Sequence, residues 1–283
     1  MSDQPKISAI APWFGSNRML AQSVGYQLAG CEWVGIPFMG GGSELFTIKA
    51  RTIVANDLHR LVVNLARILA DDMLGPTLYR DLRRTAFHAD ELQAAQSRLI
   101  VYQQFDYPPA TRWPSYEAAR DYFITCWMGR SAKAGTETEF NGGLPVRWSA
   151  GGGDSAVRFQ SAVSSIPAFR KLLRRCNFTS MDCFEFLSQC QDKPKHGIYV
   201  DAPWPELGKP YRHKFDADKQ AKLAVHLAKF SNACVVIRFG DHPLIRELYQ
   251  EEDGWHWIYQ QGRKQSNGLH DEVLITNHVP ARP

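Results

Sequence analysis

The run His196-Gly197-Ile198-Tyr199-Val200-Asp201-Ala202-Pro203-Trp204-Pro205 sets a carboxylate and an aromatic ring directly behind a short apolar segment. Residues 198–200 have the pattern of a buried strand, which puts Asp201, Ala202, Pro203 and Trp204 in the loop at its carboxyl end. Open α/β sheets bind their ligands at that edge. An acid or a main-chain carbonyl fixed beside a flat ring grips a planar, amine-bearing group. A strand running into an ordinary proline turn would use the same residue types. The stretch Gly35-Ile36-Pro37-Phe38-Met39-Gly40-Gly41-Gly42-Ser43 favours the first reading. Its consecutive glycines let the backbone approach a ligand and turn sharply, and the pattern predicts a helix beginning near Ser43.

A strand over residues 52–55 then ends at Asn56-Asp57, with Asp57 standing 17 positions after Gly40. That spacing suits a hydrogen bond to the ribose hydroxyls of a nucleoside cofactor, or a cap on a helix over residues 58–69. Asp182, ahead of Cys183 and Phe184, is a polar stop before an apolar helical run. It caps that helix or accepts from an adenine amino group. Trp13 and Phe14 precede a helix that Ser16 can cap, and form either a hydrophobic plug or a ligand lid.

Several chemistries lose ground. Gly-x-Gly-x-x-Gly is absent, as is a Gly-Lys-Ser or Gly-Lys-Thr phosphate loop, which weakens nicotinamide and nucleoside-triphosphate readings. No Gly-x-Ser-x-Gly elbow supports a serine nucleophile. His213, His226 and His242 lack metal-ligand spacing, and the six cysteines contain no Cys-x-x-Cys pair. No metal is expected, and the cysteines read as reduced thiols. With neither a signal peptide nor a membrane span in the sequence, a cytoplasmic protein without a membrane partner is expected.

The elements that must position these residues follow an αβ alternation that lapses after Leu69 and resumes near Phe178. The 283-residue chain is long enough for a full core and an insertion. In between, helices are predicted over residues 78–104 and 115–127, followed by a glycine-rich loop over 129–159 that carries Arg130, Lys133, Asn141, Arg147 and Arg158. Residues 112–175 hold ten basic and five acidic side chains, within a chain of formal charge +4. Phosphate contact is one reading of this excess, the cationic run Arg170 to Arg175 included; a solvated insertion is the other. Further helices are predicted over 218–230 and 242–250, and strands over 233–239 and 272–277.

In their order, these motifs resemble the D12 class of adenine-N6 DNA methyltransferases, the group that contains the bacterial Dam enzymes. Pro37-Phe38-Met39-Gly40-Gly41-Gly42-Ser43 is similar to the family's Pro-Phe-x-Gly-x-Gly-Ser loop, and Asn56-Asp57 falls where its ribose-binding Asn-Asp lies. Trp13-Phe14-Gly15-Ser16-Asn17 resembles the N-terminal cofactor motif, with Asn17 in place of lysine. Asp182-Cys183-Phe184 resembles the step that contacts the cofactor adenine, and Glu272-Val273-Leu274-Ile275-Thr276-Asn277 the family's last strand. Asp201-Ala202-Pro203-Trp204 corresponds to the catalytic Asp-Pro-Pro-Tyr, with alanine and tryptophan substituted.

The resemblance implies a Rossmann-like α/β domain dependent on S-adenosylmethionine, formed by residues 7–69 and 176–283. Residues 70–175 would be an inserted, mainly helical domain that recognises double-stranded DNA. It implies cofactor contacts from Trp13, Phe14, Asn17, Pro37, Phe38, Gly40, Gly42, Ser43, Asp57, Asp182 and Cys183. Asp201, Ala202, Pro203 and Trp204 would hold a flipped-out adenine for methylation at N6, and Arg130, Lys133, Asn141, Arg147 and Arg158 would contact DNA. A bacterial or phage-encoded protein acting on DNA, monomeric by default, is the expected setting, with restriction protection, regulation and phage defence all open as its role. The altered loop leaves two alternatives open: a degenerate DNA-binding homologue, or a methyltransferase acting on an RNA or protein amine.

Overall fold

A computed structural model describes residues 7–13, 18–104, 114–130, 140–148, 153–205, 215–263 and 269–281. Two compact units are present. The sheet unit comprises Asn17–Met39, Ser43–Leu58 and Thr179–Pro283; the helical unit comprises Met1–Ser16, Gly40–Gly42 and His59–Phe178.

In the first half of the chain the described elements are α1 (Arg18–Gln27), β1 (Trp33–Ile36), β2 (Thr52–Asn56), α2 (Arg60–Ala70), α3 (Leu74–Arg84), α4 (Ala89–Gln104) and α5 (Tyr116–Met128). They continue as α6 (Ser155–Leu173), β3 (Cys176–Thr179), α7 (Cys183–Gln189), β4 (His196–Val200), α8 (Ala217–Leu227), β5 (Cys234–Gly240), α9 (Pro243–Leu248), β6 (His256–Arg263) and β7 (Leu269–Thr276). The strands form one mixed seven-stranded sheet in the order β3-β2-β1-β4-β5-β7-β6. β1 is parallel to both β2 and β4, and β4 to β5, whereas β7 runs antiparallel to β5 and β6. The chain leaves β1 for β2 on one side and returns as β4 on the other. The strand order reverses between β1 and β4, and the carboxyl ends at such a reversal are where open α/β sheets take ligands.

The central strands are short and apolar because both faces are covered. Val34, Ile53, Ile198, Val200, Val235 and Ile237 have essentially no exposed surface. Ala202 belongs to the same core cluster as Ile198, Val200, Leu223 and Val273. α8 is capped by Asp216, which accepts from the Lys219 N–H at 3.0 Å, and α9 by the His242 ring.

In the helical unit, α2 buries residues on nearly every face, as a helix enclosed by others must. Its Asn64 and Ser115, the N-cap of α5, exchange two hydrogen bonds of 2.8 Å. Arg98 makes a bidentate pair with the buried Asp121 at 2.7 Å.

Local expectations fail in four places. The residues after Ser43 form one 3-10 turn, Glu44–Phe46, and no helix, because the chain needs an extended return into β2. The single helix expected over 78–104 is two, broken at Thr85, whose hydroxyl turns back to the Asp81 carbonyl at 2.9 Å. Part of the expected glycine-rich loop is α6, started by Asp154 accepting from the N–H groups of Ala156 and Val157. A strand that the sequence does not announce, β6, pairs along the whole of β7. The helical unit also takes in α2, which the sequence groups with the sheet.

Candidate functional site

At the end of β2, Asn56 is 1% exposed yet fully used. Its Nδ2 donates to the carbonyls of Pro37 and Met181, both at 3.0 Å. Its Oδ1 accepts from the Thr179 hydroxyl at 2.9 Å and the Met181 N–H at 3.0 Å. Its own carbonyl accepts from the Met39 N–H at 2.8 Å, and the Asp57 N–H donates to the Thr179 carbonyl at 3.3 Å. One amide therefore ties together the loops that follow β1, β2 and β3. These loops carry Phe38, Asp57 and Asp182. The N-cap position of α2 is His59, two residues beyond Asp57. Asp57 is partly exposed at the sheet edge.

Asp182 is exposed and caps α7, its Oδ1 accepting from the Phe184 N–H at 2.8 Å. The Cys183 thiol is buried, and burial, with the Asp182 charge second, pushes its pKa up to about 12. It is a packed, neutral side chain. Pro37 and Ser43 are buried too, whereas Phe38 is partly exposed. The Phe38 ring meets Phe215 edge-on at 5.6 Å, Phe215 stacks on Phe184 at 6.2 Å, and Lys222 Nζ lies 4.1 Å from the Phe184 ring centre. This aromatic group borders the end of β1.

After β4, Asp201 and Trp204 are partly exposed, while Ala202 is 1% exposed. Alanine here occupies a packed position, so its difference from proline is one of core volume as well as of backbone freedom. The Pro203 carbonyl is held by Gln220 Nε2 of α8 at 2.7 Å. The Trp204 side chain hydrogen-bonds Asp201, and its ring lies 5.6 Å from the Arg238 guanidinium carbon.

Arg238 is the residue that the sequence reading missed. It stands on β5 one residue beyond Ile237, which pairs with Val200, and so comes beside Asp201. Its side chain is 2% exposed; Nη1 donates to Asp201 Oδ2 at 2.8 Å, and Nε and Nη2 both donate to Glu272 Oε2 at 2.9 Å. Glu272 lies on β7 opposite Gly240, diagonal to Arg238. Burial opposes the Arg238 charge, but Asp201, Tyr199, Glu272 and Glu44 hold its pKa above the ordinary value. Glu44, 7% exposed, is pushed up to about 7 by burial and the Asp201 charge, Arg238 pulling the other way. Burial likewise raises Asp201; Arg238 opposes that rise and Glu272 adds to it. The signal available in the sequence is a cation inside an apolar strand, Cys-Val-Val-Ile-Arg-Phe-Gly, and an acid opening Glu-Val-Leu-Ile-Thr.

In the helical unit, Trp13 lies edge-on to His59 at 5.5 Å, and the Gly41 carbonyl accepts from the Ile10 N–H at 3.0 Å. Gly40 and Gly42 have φ of +51° and +68°. A Cβ on Gly40 would lie 2.9 Å from Trp13 Nε1, and one on Gly41 2.6 Å from the Ala11 carbonyl oxygen. The glycines are required by close approach and by left-handed backbone. Asn141, Arg147 and Arg130 are exposed, and the Arg130 N–H donates to the Gly143 carbonyl at 2.9 Å. Arg158 is half-buried, 5.6 Å from the Trp127 ring centre. Arg170 donates to the carbonyls of Leu69 and Asp71 at 3.2 and 3.3 Å, and Arg174 pairs with Asp72 at 3.0 Å, so these cations serve the helical unit itself. Phe14, Asn17 and Lys133 lie outside the described residues.

All six cysteines are free thiols. Among the described residues no helix is long and apolar enough to cross a membrane, and no cluster of three or more His, Cys, Asp or Glu side chains is arranged for a metal ion. No protein-family model matches the chain, and no curated protein matches it.

Proposed function

We propose that this protein is an S-adenosylmethionine-dependent DNA methyltransferase acting on N6 of adenine. One observation carries the reading. Asp201, the acid of the family-like catalytic loop, lies at the carboxyl end of β4 beside the strand-order reversal, partly exposed, with the Trp204 ring attached to it. A flat ring and an acceptor at that edge suit a planar amine.

The residues around the ends of β1, β2 and β3 fit the cofactor. Phe38 offers an aromatic face, and Asp57 supplies an acceptor suited to ribose hydroxyls. Asp182 uses Oδ1 for its cap, and its Oδ2 takes no part in that bond. The second oxygen suits an adenine amino group. Bound by these residues, S-adenosylmethionine supplies an activated methyl group.

The target adenine leaves the duplex, since its amine is otherwise enclosed in a base pair. Trp204 stacks on the flipped base. The Asp201 carboxylate accepts an N6 hydrogen and orients the nitrogen lone pair. Gln220, through the Pro203 carbonyl, keeps the loop in register with α8. Arg130, Asn141 and Arg147 are the exposed side chains for DNA contact; Arg158 is half-buried over the Trp127 ring.

Calorimetry with S-adenosylmethionine tests the first half of this reading. Wild type should bind, and Asp57→Ala should weaken binding by about 1–3 kcal/mol. A folded wild type that does not bind it refutes the proposal. Labelled methyl appearing on RNA or protein, with none on DNA, would replace the substrate and keep the rest.

A further inference from the structure

Asp201, Arg238 and Glu272 form a row across β4, β5 and β7. The central guanidinium spends all three of its nitrogens on the two carboxylates: Nη1 on Asp201 Oδ2 at 2.8 Å, and Nε and Nη2 on Glu272 Oε2 at 2.9 Å. Arg238 is 1% exposed and Glu272 4%, whereas the Asp201 side chain keeps 24% of its surface open. The row is closed at its inner end and open at the acid that faces outward. A buried ion pair contributes little net stability compared with apolar residues of the same volume. Three strands in register nevertheless hold this one, and the planar fork of arginine fixes both carboxylates in orientation as well as in charge.

We propose that Arg238, clamped by Glu272, is a positioning residue for methyl transfer: it fixes the Asp201 carboxylate, as an anion and in one rotamer, against the target amine. This role rests on the methyltransferase reading given above. The charged and titratable groups around Asp201 are Arg238 on β5, Glu272 on β7, Glu44 on the turn after Ser43 and Tyr199 on β4. Arg238 is the cation among them. Burial and Glu272 drive Asp201 toward its neutral form, and Arg238 opposes them. A protonated Asp201 offers the amine a weaker acceptor, so transfer should fail as pH falls through the Asp201 titration. Without Arg238 that acid limb should move to higher pH.

The test compares wild type, the charge-compensated pair Arg238→Gln/Glu272→Gln, and Arg238→Lys. The paired variant removes one buried cation and one buried anion together while keeping side-chain volume close. Each protein is assayed in single turnover with labelled S-adenosylmethionine and unmethylated DNA from pH 5 to 9, and its cofactor Kd is measured by calorimetry. The expected result for the pair is a cofactor Kd within about twofold of wild type, a transfer rate lower by about 10- to 100-fold, and an acid limb displaced upward. In an Asp201→Asn background the same pair should cost almost nothing further. Arg238→Lys retains the charge without the fork, so its rate should fall while its acid limb stays near that of wild type. This variant decides the matter if the pair does not fold, and an unchanged rate in it overturns the role. Wild-type transfer with an unmoved acid limb in the pair refutes the role of Arg238 and leaves the methyltransferase reading standing. A wild type that transfers no methyl group to nucleic acid refutes both.

Discussion

Replacing Asn56 with alanine should do more damage than its size suggests. The side chain makes four hydrogen bonds of 2.9–3.0 Å, two given and two received. At a net value of about 1 kcal/mol each, their loss amounts to about 4 kcal/mol. The partners are left in a site where Asn56 itself is 1% exposed, so water cannot easily replace the amide. Some relaxation of the three loops lowers the figure, and about 3–4 kcal/mol is expected. Domain stabilities are about 5–15 kcal/mol, so this is a large share. Asn56→Asp should be no better at pH 7. It keeps the two accepted bonds but turns a carboxylate oxygen toward the Pro37 and Met181 carbonyls. Its pKa should therefore be raised, and its deficit should shrink as pH falls toward 5. Urea unfolding followed by both tryptophan fluorescence and circular dichroism measures these losses. S-adenosylmethionine affinity should fall as well, although Asn56 itself is buried, because Phe38, Asp57 and Asp182 would lose their common anchor. A loss under about 1 kcal/mol in Asn56→Ala, with an unchanged denaturant slope, would show that the loops hold their positions without it.

Two substitutions separate structural from ligand roles. Asp182→Ala should cost about 1 kcal/mol of stability through the lost cap of α7 and should weaken cofactor binding. Asp182→Asn should restore the cap yet bind the cofactor as poorly as alanine, since its amide nitrogen cannot accept from an adenine amino group; wild-type affinity in Asp182→Asn would make the residue a cap alone. Glu44→Gln tests the buried charge after the glycine run. The folded-state pKa of about 7 lies above that of an unfolded carboxyl, so the folded chain binds the extra proton and its stability is lost as pH rises from about 4.5 to 7. Glu44→Gln should thus be more stable than wild type at pH 8, by up to about 3 kcal/mol, and should show little gain at pH 5; an equal effect at both would mean that Glu44 is not neutral near pH 6.

Much of the sheet is legible in short apolar runs bounded by polar turns. Residues 198–200 and 233–239 mark strands because buried parallel strands need apolar side chains on both faces. Asp182 is legible as a cap because the rule joining it to an apolar helical run is local. Glu44–Phe46 is not legible: nothing local distinguishes a single tight turn from the first turn of a helix. The break between α3 and α4 is a turn to extended backbone at Thr85, which carries neither glycine nor proline to announce it. β6 carries Gln260, Gln261 and Gly262 and lacks a continuous apolar run; its pairing with β7 makes it a strand. Among the site residues, Asp201 stands out because its loop is contiguous. Arg238 and Glu272 are 34 residues apart and meet only through strand register. Their partnership could have been suspected only from opposite charges inside two apolar strands. In the sequence Asn56 is half of an Asn-Asp pair, and its own task, holding three loops, appears only when the partners from residues 37, 179 and 181 are in place.

Methyl transfer to N6 of adenine leaves its mark on the product nucleoside. Purified wild-type protein is incubated with S-adenosylmethionine and DNA lacking methylated bases, the DNA is digested to nucleosides, and the methylated species are identified by mass. N6-methyladenine should appear in a recurrent short sequence, and Asp201→Asn, folded and still binding the cofactor, should produce almost none. A folded wild type that binds S-adenosylmethionine yet leaves every DNA nucleoside unchanged, or that makes as much N6-methyladenine without the Asp201 carboxylate, would contradict the account.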